Sequence, residues 1–359
     1  MTEREGRAQH PTVVGGVDTH GDTHHAAVVD EVGRHLADHE FPTTPAGYRR
    51  LLAWLRSFGR LDRVGVEGTG AYGAALARML AQAGVTVVEV DRPDRKVRRS
   101  KGKSDPVDAY AAAWAALSGR AAGTPKSRTG RIEAIRTLRV TRRGAVKART
   151  QEINQLRALL LTGPAELREQ LRGLATAALV GACARLRPTV DLADPRQALK
   201  AALRRLARRH QQLSAEIAEL DADLAALVTA AAPDLLDLPG VGVETAGQLL
   251  TTAGDNPERL RSEAAFAHLC GAAPIPASSG RTDRHRLNRG GDRWANCALH
   301  TIALSRLRWH EPTRAYAARR RHQGLSTKEI MRCLKRLIAR QVHYIIRRLP
   351  SINQALMTT

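Results

Sequence analysis

The stretch Thr12 to Asp30, TVVGGVDTHGDTHHAAVVD, decides the fold of this 359-residue chain. Its two β-branched runs, VVGGVD and HHAAVVD, followed by a turn at Glu31 to Gly33, read as an antiparallel hairpin. Downstream, a helix opens near Thr44 (TPAGYRRLLAWLRSFG). A strand RVGVEG, a helix AYGAALARMLAQAG, a strand VTVVEVDR and a helix beginning at Asp105 follow, and this alternation ends near Gly119.

Antiparallel strands first and βαβ units afterwards predict an α/β domain with a mixed sheet of RNase H-like type. On that scaffold Asp18 closes the first strand, Glu67 closes a later one, and Asp105 and Asp108 stand one helical turn apart. Ends of neighbouring strands are close in space, and Cβ atoms at i and i+3 of a helix are about 5–6 Å apart, so the four carboxylates can face one point. Hard oxygen ligands suit Mg²⁺, and two ions about 3.5–4 Å apart stabilise the attacking and leaving oxygens of a phosphodiester. Each acid also has a structural reading: Asp105 as an N-cap ahead of Pro106, Asp108 as a favourable charge in the first turn. The order of all four on this strand plan favours catalysis. His20, His24 and His25 lie near Asp18 and could form a histidine metal site, but on a hairpin of a basic protein they read as surface residues.

Lys and Arg number 57 against 35 Asp and Glu, a net charge of +22 and a pI near 11.1, which implies a polyanionic partner, DNA or RNA. No apolar run approaches the roughly 18 residues that span a bilayer, and the polar start MTEREGRAQH does not read as a signal peptide; no membrane role and a cytoplasmic, nucleoid-associated location are expected. Aromatic residues make up 3%, too few for extensive base stacking. Cys183, Cys270, Cys297 and Cys333 are widely spaced, as buried thiols of a reducing compartment would be, and a zinc site is not expected.

After a connection at RAAGTPKSRTG, the segment RIEAIRTLRVTRRGAVKARTQEINQLRALLL reads as a basic helix able to lie along a phosphate backbone. From Arg196 to Ala231, Leu199, Leu203, Leu206, Leu213, Ile217, Leu220, Leu224 and Leu227 form a heptad stripe, with His210 in the one missing place. Its basic first half and acidic second half predict antiparallel self-association; the alternative is an intramolecular helical hairpin. LPGVGVETAGQLL, from Leu238, resembles a helix-hairpin-helix in which Gly240 and Gly242 offer backbone N–H groups to phosphate, although Glu244 stands where a cation is usual. The loop GAAPIPASSGRTDRHRLNRGGDRW supplies Arg281, Arg284, Arg286, Arg289 and Arg293 for bidentate phosphate contacts, and Ser278 or Ser279 for a hydroxyl. A capping box, Ser326 to Glu329, opens a basic C-terminal helix.

The motif set GVDTH, VEGTGAYG and KSDPVDA, then LPGVG and APIPASSG, resembles the DEDD transposases of the insertion-sequence one-ten family over essentially the whole chain. That resemblance implies a RuvC-like catalytic domain over residues 1–125, a basic helical extension over 126–195, an oligomerising coiled coil over 196–232, and a mainly helical transposase domain over 233–359. It implies that Asp18, Glu67, Asp105 and Asp108 bind Mg²⁺, as a two-metal site with Mn²⁺ as an alternative. The nucleophile would be a serine acting near the metal site of a partner subunit, mapped to Ser279 by its place before Gly280, with Ser278 adjoining. It further implies DNA ends and target as substrates, a noncoding guide RNA and a dimer or tetramer. The competing readings are a junction-resolving endonuclease that uses water, a non-enzymatic nucleic-acid-binding protein and an actin-like ATPase.

Overall fold

The computed structural model describes residues 11–90, 104–281 and 285–349. They fall into two units: the chain up to Thr129 together with Gly254–Arg261, and Gly130–Ala253 together with the chain from Ser262.

The first unit is built on a five-stranded mixed sheet in the order β3-β2-β1-β4-β5. β1 (Thr12–Thr19), β2 (Thr23–Asp30) and β3 (His35–Pro42) are antiparallel neighbours, whereas β4 (Arg60–Glu67) runs parallel to β1 and β5 (Thr86–Val90) parallel to β4. This arrangement is compatible with the RNase H-like expectation. Alternate residues of β1 serve opposite faces. Val13 and Val17 join Leu51 and Leu55 of α1 (Pro45–Ser57) and Leu76 and Leu80 of α2 (Ala74–Gln82), while Val14 packs with Ala109 and Ala113 of α3 (Asp105–Leu117). β3 was not foreseen. Its sequence, HLADHEFP, is mostly exposed, as befits a charged edge strand with no apolar alternation.

Glycine sets how near α3 approaches the sheet. A Cβ on Gly16 would collide with Ala109 O and Ala113 N, and one on Gly65 of β4 with Ala112 O. The small Ala-rich face of α3 rests directly on these backbones, carrying Asp105 and Asp108 to the end of β1. Gly16→Ala is therefore expected to lose about 3 kcal/mol or more, the upper range for overpacking a core, read as a lower denaturation midpoint with loss of activity.

Among its described residues the second unit is helical apart from one short hairpin. α4 (Arg131–Thr162), α5 (Ala165–Leu171), α6 (Thr176–Ala184), α7 (Pro195–Ala231), α8 (Pro233–Leu236), α9 (Val243–Ala253) and α10 (Glu263–Leu269) lead to β6 (Ile275–Pro276) and β7 (His285–Arg286). α11 (Arg293–Trp309), α12 (Glu311–His322) and α13 (Thr327–Ile346) complete it, α13 opening on the expected capping box. The heptad stripe is a single helix, α7, and α4 of the same chain covers much of it. The pairing is antiparallel: Arg131 Nη1 donates to Ala230 O (2.6 Å), Arg142 pairs with Asp221, and Arg209 Nη2 lies 2.8 Å from Glu152 Oε1. Leu203 and Ala207 share a core with Ile153, Leu156 and Leu160, closed by Leu167 of α5 and Leu179 of α6. Two of the opposed charges that suggested pairing between copies, Arg209 and Asp221, find partners on α4. Covering this stripe therefore requires no second copy. Cys183 and Cys270 are buried, Cys333 is half-buried, and Cys297 is exposed, contrary to the expectation of four buried thiols. Among the described residues no helix is long and apolar enough to cross a membrane.

Candidate active site

β1 and β4 are in parallel register through Val17 and Val66, so Asp18 and Glu67 sit side by side at the ends of adjacent strands. Asp18 is buried at 7% exposure. The Thr19 hydroxyl donates to the Glu67 carbonyl (2.9 Å), tying the two strand ends together. Beyond Glu67, the buried Thr69 donates to Glu89 Oε1 (2.6 Å), and Arg259 reaches Glu89 Oε2 at 3.5 Å. This staple fixes the loop that follows the glutamate.

The N-cap of α3 is Ser104, with Asp105 already in the first turn. Asp105 is therefore not the capping residue, and its carboxylate is free to turn towards β1. His20 bridges the two elements: its Nε2 lies 3.1 Å from Asp18 Oδ2 and 3.4 Å from Asp105 Oδ1. Ligand atoms of Asp18, His20 and Asp105 all lie within 4.8 Å of one another, so this trio could hold a divalent cation. Asp108 is buried at 2% and close enough to act on Asp18 electrostatically; neither it nor Glu67 belongs to the tight trio. Burial pushes the Asp18 carboxyl above its ordinary range, His20 opposes that rise, and the charges of Asp108 and Asp105 add to it. A buried carboxylate crowded by two others is a site whose charge a cation would compensate. The donor set of oxygens with one imidazole fits Mn²⁺ as well as Mg²⁺.

The surface reading fails for His24 and for the His25 side chain, 13% exposed, whereas the His20 side chain stays 43% exposed. His20 stands at the acids, His24 is fully buried and stacked against Tyr48 at 5.5 Å, and His25 Nε2 contacts Asp38 Oδ2 at 2.7 Å. A signal was present in the sequence, because Asp18 and His20 are two apart at a strand end and so share a face. His20→Ala is expected to weaken divalent-cation affinity about 10- to 100-fold, the usual cost of removing a group that orients a metal ligand, as measured by Mn²⁺ titration.

In the second unit, Ser279 is exposed between β6 and β7, next to the exposed Ser278. Arg281, Arg286, Arg289 and Arg293 are also exposed, while Arg284 lies outside the described residues. The base of this hairpin is narrow. Gly291 has φ +86°, and a Cβ there would lie 2.6 Å from Leu269 O and 2.7 Å from Gly271 N. Asn296 Nδ2 donates to the carbonyls of Cys270 and Gly271 (3.0 and 2.9 Å), and Asp292 caps α11 through Trp294 N and Ala295 N. Gly240 packs against Ile302 and Arg306 of α11, and the Arg306 Nε donates to Pro239 O (2.6 Å). The Gly242 N–H donates to Thr245 Oγ1 (3.1 Å), and the Glu244 carboxylate meets the buried Arg139 at 2.9 Å. These contacts give the LPGVG turn a packing role on α11 and α4.

Two family profiles match this chain: a transposase profile of the DEDD IS110 type over residues 15–163, and one described as transposase IS116/IS110/IS902 family over residues 232–318. The first contains all four acids and the second contains the LPGVG turn and the serine hairpin. The chain belongs to the IS110 family of DEDD transposases. A relative in Streptomyces coelicolor, described as the insertion element IS110 uncharacterized 43.6 kDa protein, is 34% identical over 125 residues, or 33% of this IS110-family chain and 30% of that protein. The similarity thus spans under a third of the relative's length.

Proposed function

We propose that this chain is a DNA transposase that cuts and rejoins strands by transesterification, with Asp18, Glu67, Asp105 and Asp108 holding Mg²⁺ or Mn²⁺. The observation that carries this reading is the junction of β1 with α3, where His20 spans Asp18 and Asp105 and a buried carboxylate is crowded by its own kind. A bound divalent cation supplies neutralisation of phosphate charge and lowers the effective pKa of a hydroxyl. The remaining tasks fall to the chain. Ser279 Oγ bonds to phosphorus as its proton leaves, and the displaced deoxyribose oxygen takes up a proton. Attack by a second DNA hydroxyl on the phosphoserine reverses these steps and frees the serine, so the phosphodiester energy is conserved. Exposed Arg281, Arg286, Arg289 and Arg293 neutralise the non-bridging oxygens.

By resemblance to the family, the working assembly holds two or four copies, with Ser279 of one serving the acids of another. Sequence choice would rest on a noncoding RNA encoded beside the gene, and the net charge of +22 suits two polyanions at once. As a helix-hairpin-helix, the LPGVG turn would meet the DNA backbone at Gly240, the Gly242 N–H being already donated to Thr245 Oγ1. The deciding experiment incubates the protein with Mg²⁺, element-junction DNA and the flanking transcript, then looks on denaturing gels for a covalent protein–DNA species. An adduct supports serine-mediated exchange, and nicked DNA without one supports hydrolysis by water.

A further inference from the structure

Beside the serine hairpin the second unit holds a cavity of about 810 Å³, walled by β7 and the residues around it, α12 and α13. Its volume lies in the range of small-molecule sites, roughly 300–1,000 Å³. The charge of its wall is one-sided, with Arg286, Arg320, Arg332, Lys335 and Arg336 facing a single acid, Glu329. Glu329 is engaged in the capping box and lies 3.9 Å from Arg332, while Arg336 is held by Glu263.

Lys335 has no such partner. It is buried at 7% exposure, its ammonium donates to the neutral Asn296 Oδ1 (2.8 Å), and it forms no ion pair among the described residues. Burial pushes its pKa below the ordinary lysine range, with the nearby Arg332 adding to the fall. A buried cation without a counter-ion is costly unless something anionic arrives. Arg320 adds an unanswered donor, its buried Nε, which has no hydrogen-bond partner among the described residues. The rest of the wall joins apolar and aromatic residues, including Tyr316, Leu287 and Leu337, to the polar His285 and Asn288. An adjoining depression of about 580 Å³ shares Arg286 and Leu287 and adds Ile275 and Arg289.

We propose that this cavity binds one nucleotide of a single-stranded or locally opened nucleic acid, with phosphate on Lys335 and Arg332 and the base against Tyr316. Cations alone would suit any anion, whereas cations beside an aromatic ring and leucines suit a phosphate joined to a flat apolar body. The adjoining depression with Arg289 gives the next phosphate of a strand a place, which a free nucleotide would leave unused. The inference deepens the nucleic-acid reading above. Its test needs neither a metal nor Ser279.

Full-length protein in EDTA is titrated into three 2-aminopurine probes: a single-stranded oligonucleotide carrying the base, the 5′-monophosphate and the riboside. Quenching is expected with the first two, and at least tenfold weaker binding with the riboside. Lys335→Gln, which removes the charge but leaves an N–H donor, should weaken monophosphate binding at least tenfold, and Lys335→Arg should restore it. Tyr316→Leu should lose quenching that Tyr316→Phe retains, and Arg332→Gln at the cavity rim gives a second reading should position 335 tolerate no change. Ser279→Ala should bind as wild type does, so failed strand chemistry and a failed pocket are told apart. Equal binding of riboside and monophosphate, displacement by inorganic phosphate as effective as by the monophosphate, or unchanged binding in Lys335→Gln and Arg332→Gln together would overturn the proposal. Failure of the oligonucleotide to compete with the monophosphate would overturn the strand assignment.

Discussion

Ser279→Ala is expected to yield no covalent protein–DNA species and to lose strand exchange by a factor on the order of 10⁴ or more, ~5 kcal/mol in barrier height. The expectation is large because a nucleophile cannot be partly replaced: alanine offers no atom to bond phosphorus. Ser279 is exposed and its side chain serves no visible packing role, so the variant should melt as the wild-type protein does and still retard DNA in a gel. Ser278→Ala is the control, because the two hydroxyls are neighbours and only one is assigned the bond. An adduct that persists in Ser279→Ala and vanishes in Ser278→Ala would transfer the role. One that persists in both would end the serine mechanism.

Asp18→Asn should be nearly as damaging to activity, with a loss of about a thousandfold or more, ~4 kcal/mol, and its effect on stability should have the opposite sign. Burial, Asp108 and Asp105 hold the Asp18 carboxyl above its usual value of 3.8. The folded state therefore binds this proton more tightly than the unfolded chain. Its contribution to stability is fully present below pH 3.8 and is lost as pH rises through the higher folded value. At neutral pH without a divalent cation the wild-type protein carries that deficit, which the neutral asparagine removes. The melting temperature of Asp18→Asn in EDTA is thus expected to exceed that of wild type. Added Mn²⁺ should raise the wild-type value and leave the variant nearly unmoved. A variant that melts lower than wild type in EDTA would show that Asp18 has a structural role and that its negative charge is not held at a cost.

What could be read from the sequence was what local pattern determines. The β-branched runs of β1 and β2, the helices at Thr44 and Asp105, and the capping box at Ser326 all carry their own signals. β3 carried none, because an exposed edge strand such as HLADHEFP has no apolar alternation. α7 announced its stripe clearly but not its partner, since unlike charges in an antiparallel arrangement describe a second copy and α4 equally well. At the candidate site the four acids could be singled out in the sequence, and spacing could set His20 beside Asp18 but not against Asp105, a contact between residues distant in sequence. The cap of α3 shifted by one residue, from Asp105 to Ser104, and that small shift leaves the Asp105 carboxylate able to meet His20.

The eight residues Gly254–Arg261 belong to the first unit although α4 to α9 separate them from the rest of it. Asn256 accepts from Ser127 N (3.1 Å) and donates to Pro125 O (3.0 Å), while Arg259 donates to Thr124 O (2.9 Å) and pairs with Glu89. Gene order and physical module therefore do not coincide. A fragment cut after Thr129 would retain the acids and lose the clasp that steadies the loop behind Glu67. Grafting the acid-bearing half onto another protein, or swapping halves between relatives, would need two insertion points, or a shortcut carrying Asn256 and Arg259 back to their carbonyls.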